Sequence, residues 1–185
     1  MNEEVFDDLM SSTDSALIVV TTAAENEQAG CLVGFHSQSS MSPAQYGFWL
    51  SKANHTYRMS LRSKHFAVHF LTTDDLAMAQ RFGARSGEDV DKFRGLDVIT
   101  TEQGVPLLTA VPNRIVVESI TMLDDGGDHV SITARVISTE TTGSFVPLRL
   151  SHLGDLPAGH DNAERAIHPS AGHRAPRQGG LTADG

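Results

Sequence analysis

The sequence predicts a mainly β domain, an antiparallel sheet closed into a small barrel with a few short covering helices. Strand-like runs rich in Val, Ile, Phe and Thr recur between turn residues. The links between these runs are hairpin-short, whereas a parallel sheet needs long crossovers between strands. Closing such a sheet removes its exposed edges.

Taken in order, residues 3–10 read as a short helix with Val5, Phe6, Leu9 and Met10 on one side. Residues 16–22 (ALIVVTT) form a continuous apolar run suited to a buried strand, and after the polar turn AENEQ the run 30–37 completes a hairpin. Residues 46–51 and 65–71 give two further strands, with a short helix over 55–62 between them. A helix follows: Thr72 or Thr73 caps it, Asp74 and Asp75 occupy its first turn, Leu76, Ala79 and Phe82 form its inner stripe, and Gly83 ends it. The long runs 114–123 and 128–138 are joined by Asp124-Asp125-Gly126-Gly127, whose glycines supply positive φ. In the last run Val130, Ile132, Ala134 and Val136 alternate with His129, Ser131, Thr133 and Arg135, so one face is core and the other meets solvent or ligand.

The domain is expected over residues 1–152. Beyond it the periodic apolar residues stop, and Pro157, Pro169 and Pro176 deny a long helix, so 153–185 reads as a disordered tail. The 185 residues carry 14 Lys and Arg against 23 Asp and Glu, a net charge of -9. That balance argues against a nucleic-acid partner, and an anionic ligand needs a local basic pocket. No apolar run approaches the roughly 18 residues of a membrane span. The acidic start MNEEVFDDLM is unlike a signal peptide, and the expected compartment is the cytoplasm.

Several chemistries lack support. The single cysteine, Cys31, cannot form an intramolecular disulfide, and among Gly30, Leu32 and Val33 it reads as a packed small hydrophobe. No metal site is expected: HExxH and CxxC are absent, and four of the nine histidines fall in the tail. His65 and His69 stand four apart, about 13 Å along a strand, too far to share an ion. They read as edge or surface residues. Neither nucleotide-binding glycine motif, GxGxxG or GxxxxGK[ST], occurs.

Three segments carry a signal. Residues 34–40 hold several small polar donors, Lys52, Asn54 and Thr56 gather a cation, an amide and a hydroxyl before a helix, and Gly127-Asp128-His129 opens a strand at its polar face. In this order, with Val19-Val20-Thr21-Thr22 upstream, they resemble the flavin reductase-like family, an FMN-binding split β-barrel that dimerises. The resemblance extends through residues 65–71, 77–82, Asp91-Lys92-Phe93 and Gly104-Val105-Pro106-Leu107-Leu108, and covers roughly Phe6 to Leu150.

That resemblance implies an NAD(P)H-dependent flavin reductase that passes hydride from NADH or NADPH to FMN or FAD and supplies a partner such as a monooxygenase. It implies that Phe35, His36, Ser37, Gln38 and Ser39 form the flavin loop, Ser37 and Ser39 bonding the ribityl chain or phosphate. Lys52, Asn54 and Thr56 would hold the phosphate, and His129 beside Asp128 would orient the nicotinamide or supply a proton. Val33-Gly34 replaces small hydroxyl residues common in the family, so ring-edge contacts there would be backbone contacts. A homodimer is implied, with Phe48 and Trp49 near the open face or the flavin. The alternative is a flavin-binding electron carrier, or a binder of a flavin-like cofactor, without nicotinamide reductase activity.

Overall fold

The computed structural model describes residues 2–84 and 90–154, and the expected tail from residue 155 onward lies outside the described residues. The sheet contains β1 (Ile18–Ala24), β2 (Glu27–Val33), β3 (His36–Met41), β4 (Ala44–Ser51) and β5 (His65–Phe70). After a small ribbon of β6 (Val98–Thr100) and β7 (Pro106–Leu108), the long strands β8 (Arg114–Leu123) and β9 (His129–Glu140) complete it. The order is β2-β1-β5-β8-β9-β4-β3, with every neighbouring pair antiparallel. Trp49 N–H on β4 donates to the Phe35 carbonyl at 2.9 Å, extending the β3–β4 ladder to the β2–β3 junction, so the chain itself links the two outer strands of the sheet.

Two cores explain the apolar pattern. Inside the barrel, Ile18, Val20, Phe48, Leu50, Phe66, Val68, Val117 and Ile132 pack together, with the Phe48 and Phe66 rings 5.4 Å apart. Outside β1 and β5 a second cluster forms from Leu17, Val19, Leu71, Phe82, Phe93, Leu108, Val111 and Leu148. Strand β1 is therefore covered on both faces, which is why residues 17–20 are apolar without alternation.

Among the described residues the α-helices are α1 (Glu3–Thr13), α2 (His55–Ser60) and α3 (Leu76–Gly83). Thr72 and Asp75 form a reciprocal capping box, and Phe82 of α3 packs into the second core. A Cβ on Gly30 of β2 would come within 2.7 Å of the Phe82 ring, so glycine is what lets α3 sit this close. Buried Lys92 donates to the carbonyls of Phe82 (2.8 Å) and Gly30 (3.2 Å), pinning the end of α3 to β2, and burial pushes its pKa down.

The structure departs from the expectations in several places. The run 30–37 breaks at Gly34-Phe35, and the Ser-rich stretch after it is edge strand β3 rather than a loop. Helix α1 buries nothing: the side holding Val5, Phe6, Leu9 and Met10 is exposed. Leu76 is also exposed, because the inner face of α3 is set by Ala79 and Phe82. Gly126 has positive φ in the β8–β9 turn and Gly127 does not. Phe48 is in the inner core, away from any open face. His69 is fully buried, since β5 is an interior strand and the second core covers its outer side. Leu153 packs against that core, one residue past the expected domain end.

Candidate functional site

The end of β4 meets the start of β9 in register, with Ser51 opposite His129. Just beyond, Lys52 N–H donates to the Asp128 carbonyl at 2.9 Å, so the Lys52–Asn54 segment and the Gly127-Asp128-His129 turn are tied together. The β2–β3 junction arrives from the other side and sets the Phe35 ring 5.0 Å from the His129 ring, tilted at 58°.

These elements enclose a cavity of about 510 Å³. Val33, Gly34 and Phe35 form one wall, Trp49 and Ser51 another, and Asn54 and His129 its polar corner. Residues Asp7, Met10, Ser11 and Thr13 of α1 also line it, together with Leu150 and Leu153. A mostly apolar chamber with aromatic side chains and a few convergent polar groups suits a flat heteroaromatic ring. Among the described residues no three of His, Cys, Asp and Glu gather into a metal site.

His129 is held by Asp128, whose Oδ1 lies 2.8 Å from Nδ1. That hydrogen bond is the main reason the Asp128 carboxyl sits below its ordinary range. With Nδ1–H donating to the carboxylate, Nε2 is the ring nitrogen left to face a ligand. Lys52 Nζ pairs with Asp124 Oδ1 at 2.6 Å, and this bond leads the causes that lower the Asp124 carboxyl. Asn54 stands at the N-cap of α2 without using its side chain as a cap.

Of the residues expected at the site, Phe35, Asn54 and His129 line the cavity, and Asp128 and Lys52 adjoin it through the contacts just described. The others are placed elsewhere. Tyr46 O–H donates to His36 Nδ1 at 2.6 Å and His36 Nε2–H donates to the Ala16 carbonyl at 2.8 Å, so the His36 ring is a strut between strands. Burial holds that imidazole below its ordinary value and pushes the Tyr46 phenol up to about 12. Ser37, Gln38 and Ser39 are exposed on β3 and do not line the cavity. Thr56 is buried, with its hydroxyl bonded to the Cys31 thiol, which burial pushes up as expected of a packed, unreactive cysteine. The α1 residues and Leu153 were not expected at the site, because the apolar side of residues 3–10 reads as a packing face and a lone leucine carries no pattern of its own.

The flavin reductase like domain model matches residues 10–150, which spans every element from the end of α1 to the rim of the cavity. The chain belongs to the flavin reductase like domain family. Its mainly β antiparallel fold and the oxidoreductase class expected from the sequence agree with that membership. Among curated relatives it is 31% identical to a flavin-dependent monooxygenase reductase subunit of Rhodococcus jostii, over 72% of this chain and 67% of that one. It is 26% identical to a ferric-chelate reductase (NAD(P)H) of Archaeoglobus fulgidus, over 67% and 74% of the two chains. In fold, this flavin reductase-like chain is similar to the NADH:FAD oxidoreductase SgcE6 of Streptomyces globisporus, crystallised with NAD and FAD fragments. That match has a TM-score of 0.71 and 20% identity, over 82% and 90% of the chains. A Sinorhizobium meliloti oxidoreductase structure gives TM-score 0.71 and 21% identity over 80% of this chain, which spans about half, 51%, of that longer one.

Proposed function

We propose that the protein is an NAD(P)H-dependent flavin reductase that takes FMN or FAD into the cavity beside His129. The observation that carries this reading is the convergence of Phe35, Asn54 and His129, from three separate segments, on one chamber whose remaining walls are mostly apolar. Phe35 and Trp49 offer aromatic surface to the ring, and the backbone at Gly34, which lacks a side chain, permits close approach. Lys52 and Asn54 hold the phosphate, the ammonium by charge and the amide by hydrogen bonding. Bound there, the flavin supplies the hydride-accepting chemistry. His129, fixed at Nδ1 by Asp128, presents Nε2 to orient the incoming nicotinamide or to carry a proton.

The relatives' names support a nicotinamide donor and, through the Rhodococcus subunit, a monooxygenase that consumes the reduced flavin. A homodimer belongs to the same reading, which the exposed apolar side chains of Ile120, Leu123 and Ile137 on β8 and β9 support. Light scattering giving a single-chain mass at working concentration would remove it. The proposed compartment is the cytoplasm, tested by cell fractionation.

The experiment is nicotinamide oxidation by the purified protein with and without added FMN, after its visible spectrum is recorded. Oxidation that requires both protein and flavin supports the reading. Protein that binds flavin but oxidises neither NADH nor NADPH would be an electron carrier instead.

A further inference from the structure

Helix α1 walls the cavity yet belongs to no core. Asp7, Met10, Ser11 and Thr13 line the chamber, but no residue of α1 is buried. Among the described residues, the hydrogen bonds that tie this helix to the barrel all fall at the single position after it. Asp14 is left-handed, with φ 47, and its carboxylate accepts from Ser151 N–H and Ser151 O–H, both at 2.8 Å, while Arg149 Nη1 donates to its carbonyl at 2.9 Å. Inside α1 the Ser12 and Thr13 hydroxyls bond to the Asp8 and Met10 carbonyls, so the helix is braced within itself and tethered at one end.

Its apolar side chains are also largely exposed. Val5, Phe6 and Leu9 are 61%, 49% and 60% exposed, although a surface helix ordinarily turns such a stripe inward. At about 100° per residue, Phe6 lies between Thr13 and Met10, both of which line the cavity, so it stands on the cavity side of the helix beside them. A small inward swing about the Asp14 tether brings Phe6 onto the chamber beside Met10.

We propose that α1 is a lid hinged at Asp14, which closes on the flavin-loaded cavity by swinging Phe6 and Met10 onto the ligand. This rests on the cavity being the flavin site. Closure buries apolar surface that is otherwise exposed, so occupancy of the chamber drives it. The closed helix shields the reacting ring from water, and its reopening governs release of the reduced flavin.

The test is hydrogen exchange of the full-length protein with and without saturating FMN, at two protein concentrations, together with FMN affinity of Phe6→Ser. Amide exchange in residues 5–13 slows when FMN binds. Phe6→Ser loses about tenfold in FMN affinity at unchanged Tm, because the side chain touches no core in the open form. FMN binding with unaltered exchange in α1 and native affinity in Phe6→Ser overturns the lid. Protection already present without FMN, and rising with protein concentration, overturns it in favour of a second copy covering the stripe. No change in the flavin spectrum on mixing removes the cavity assignment, and the lid with it.

Discussion

The His129 imidazole lies 5.0 Å from the Phe35 ring, centroid to centroid, while its Nδ1 is fixed 2.8 Å from Asp128 Oδ1. One ring is thus held on its polar side by the residue before it in sequence and flanked by an aromatic ring from the β2–β3 junction, two strands away. Its orientation is set before any ligand arrives.

His129→Ala therefore lowers kcat by about tenfold to a hundredfold while changing flavin affinity little. Asp128→Asn keeps a hydrogen-bonding partner and loses less. Steady-state rates set beside flavin binding curves separate the two effects. A His129→Ala rate equal to that of the native protein would leave the residue a structural turn.

Lys52 is shared between the phosphate role and Asp124, which lies 2.6 Å from its ammonium. Lys52→Ala weakens FMN by about tenfold and riboflavin, which has no phosphate, much less. Asp124→Asn releases the ammonium from its competitor and tightens FMN. Calorimetric titration of both ligands checks the pair. Equal losses for FMN and riboflavin in Lys52→Ala would move the phosphate elsewhere.

Gly30→Ala places a methyl group 2.7 Å from the Phe82 ring. Because Phe82 is wedged between β2 and the second core, the ring has little room to yield, and the expected cost is about 1–3 kcal/mol. Thermal unfolding reads this as a lowered Tm. Flavin affinity stays native, since Gly30 is outside the cavity lining.

His69 gives a pH dependence. Burial leads the causes that depress its imidazole from 6.5 to about 4. Its Nδ1 lies 3.2 Å from the Val111 carbonyl. Nε2 meets the Thr21 hydroxyl at 3.4 Å, and that hydroxyl already donates to the Pro106 carbonyl. Below pH 6.5 the unfolded chain takes up a proton that the folded ring refuses. The stability held by the neutral ring is thus complete above 6.5 and is lost as pH falls toward 4, by roughly 3 kcal/mol in full. His36, depressed in the same sense, adds to the loss. Denaturant unfolding across this window shows a steep fall for the native protein and a shallower one for His69→Gln.

The fold was legible wherever burial leaves a periodic mark. The inward Val130, Ile132 and Ala134 of β9, the Thr72 cap and the doubly covered β1 all follow from residue spacing. What escaped depends on contacts between distant segments. His69 reads as a surface residue until the 93–111 region folds across β5, and His36 reads as a ligand until Tyr46 and Ala16 occupy both its nitrogens. The candidate site divides in the same way. Phe35, Asn54 and His129 were marked by motif, whereas Met10 and Leu153 reach the cavity through tertiary placement alone.

The central claim is that this cavity receives the flavin, and its most direct test is calorimetric titration of FMN into the native protein and into Gly34→Phe. A Cβ at Gly34 would meet only Leu17 Cδ2, at 3.7 Å, so a side chain can enter the chamber without disturbing the backbone. A native Tm for the variant with FMN affinity reduced by more than about tenfold is the predicted result. Unchanged affinity in a folded Gly34→Phe protein would place the flavin somewhere else and contradict the account.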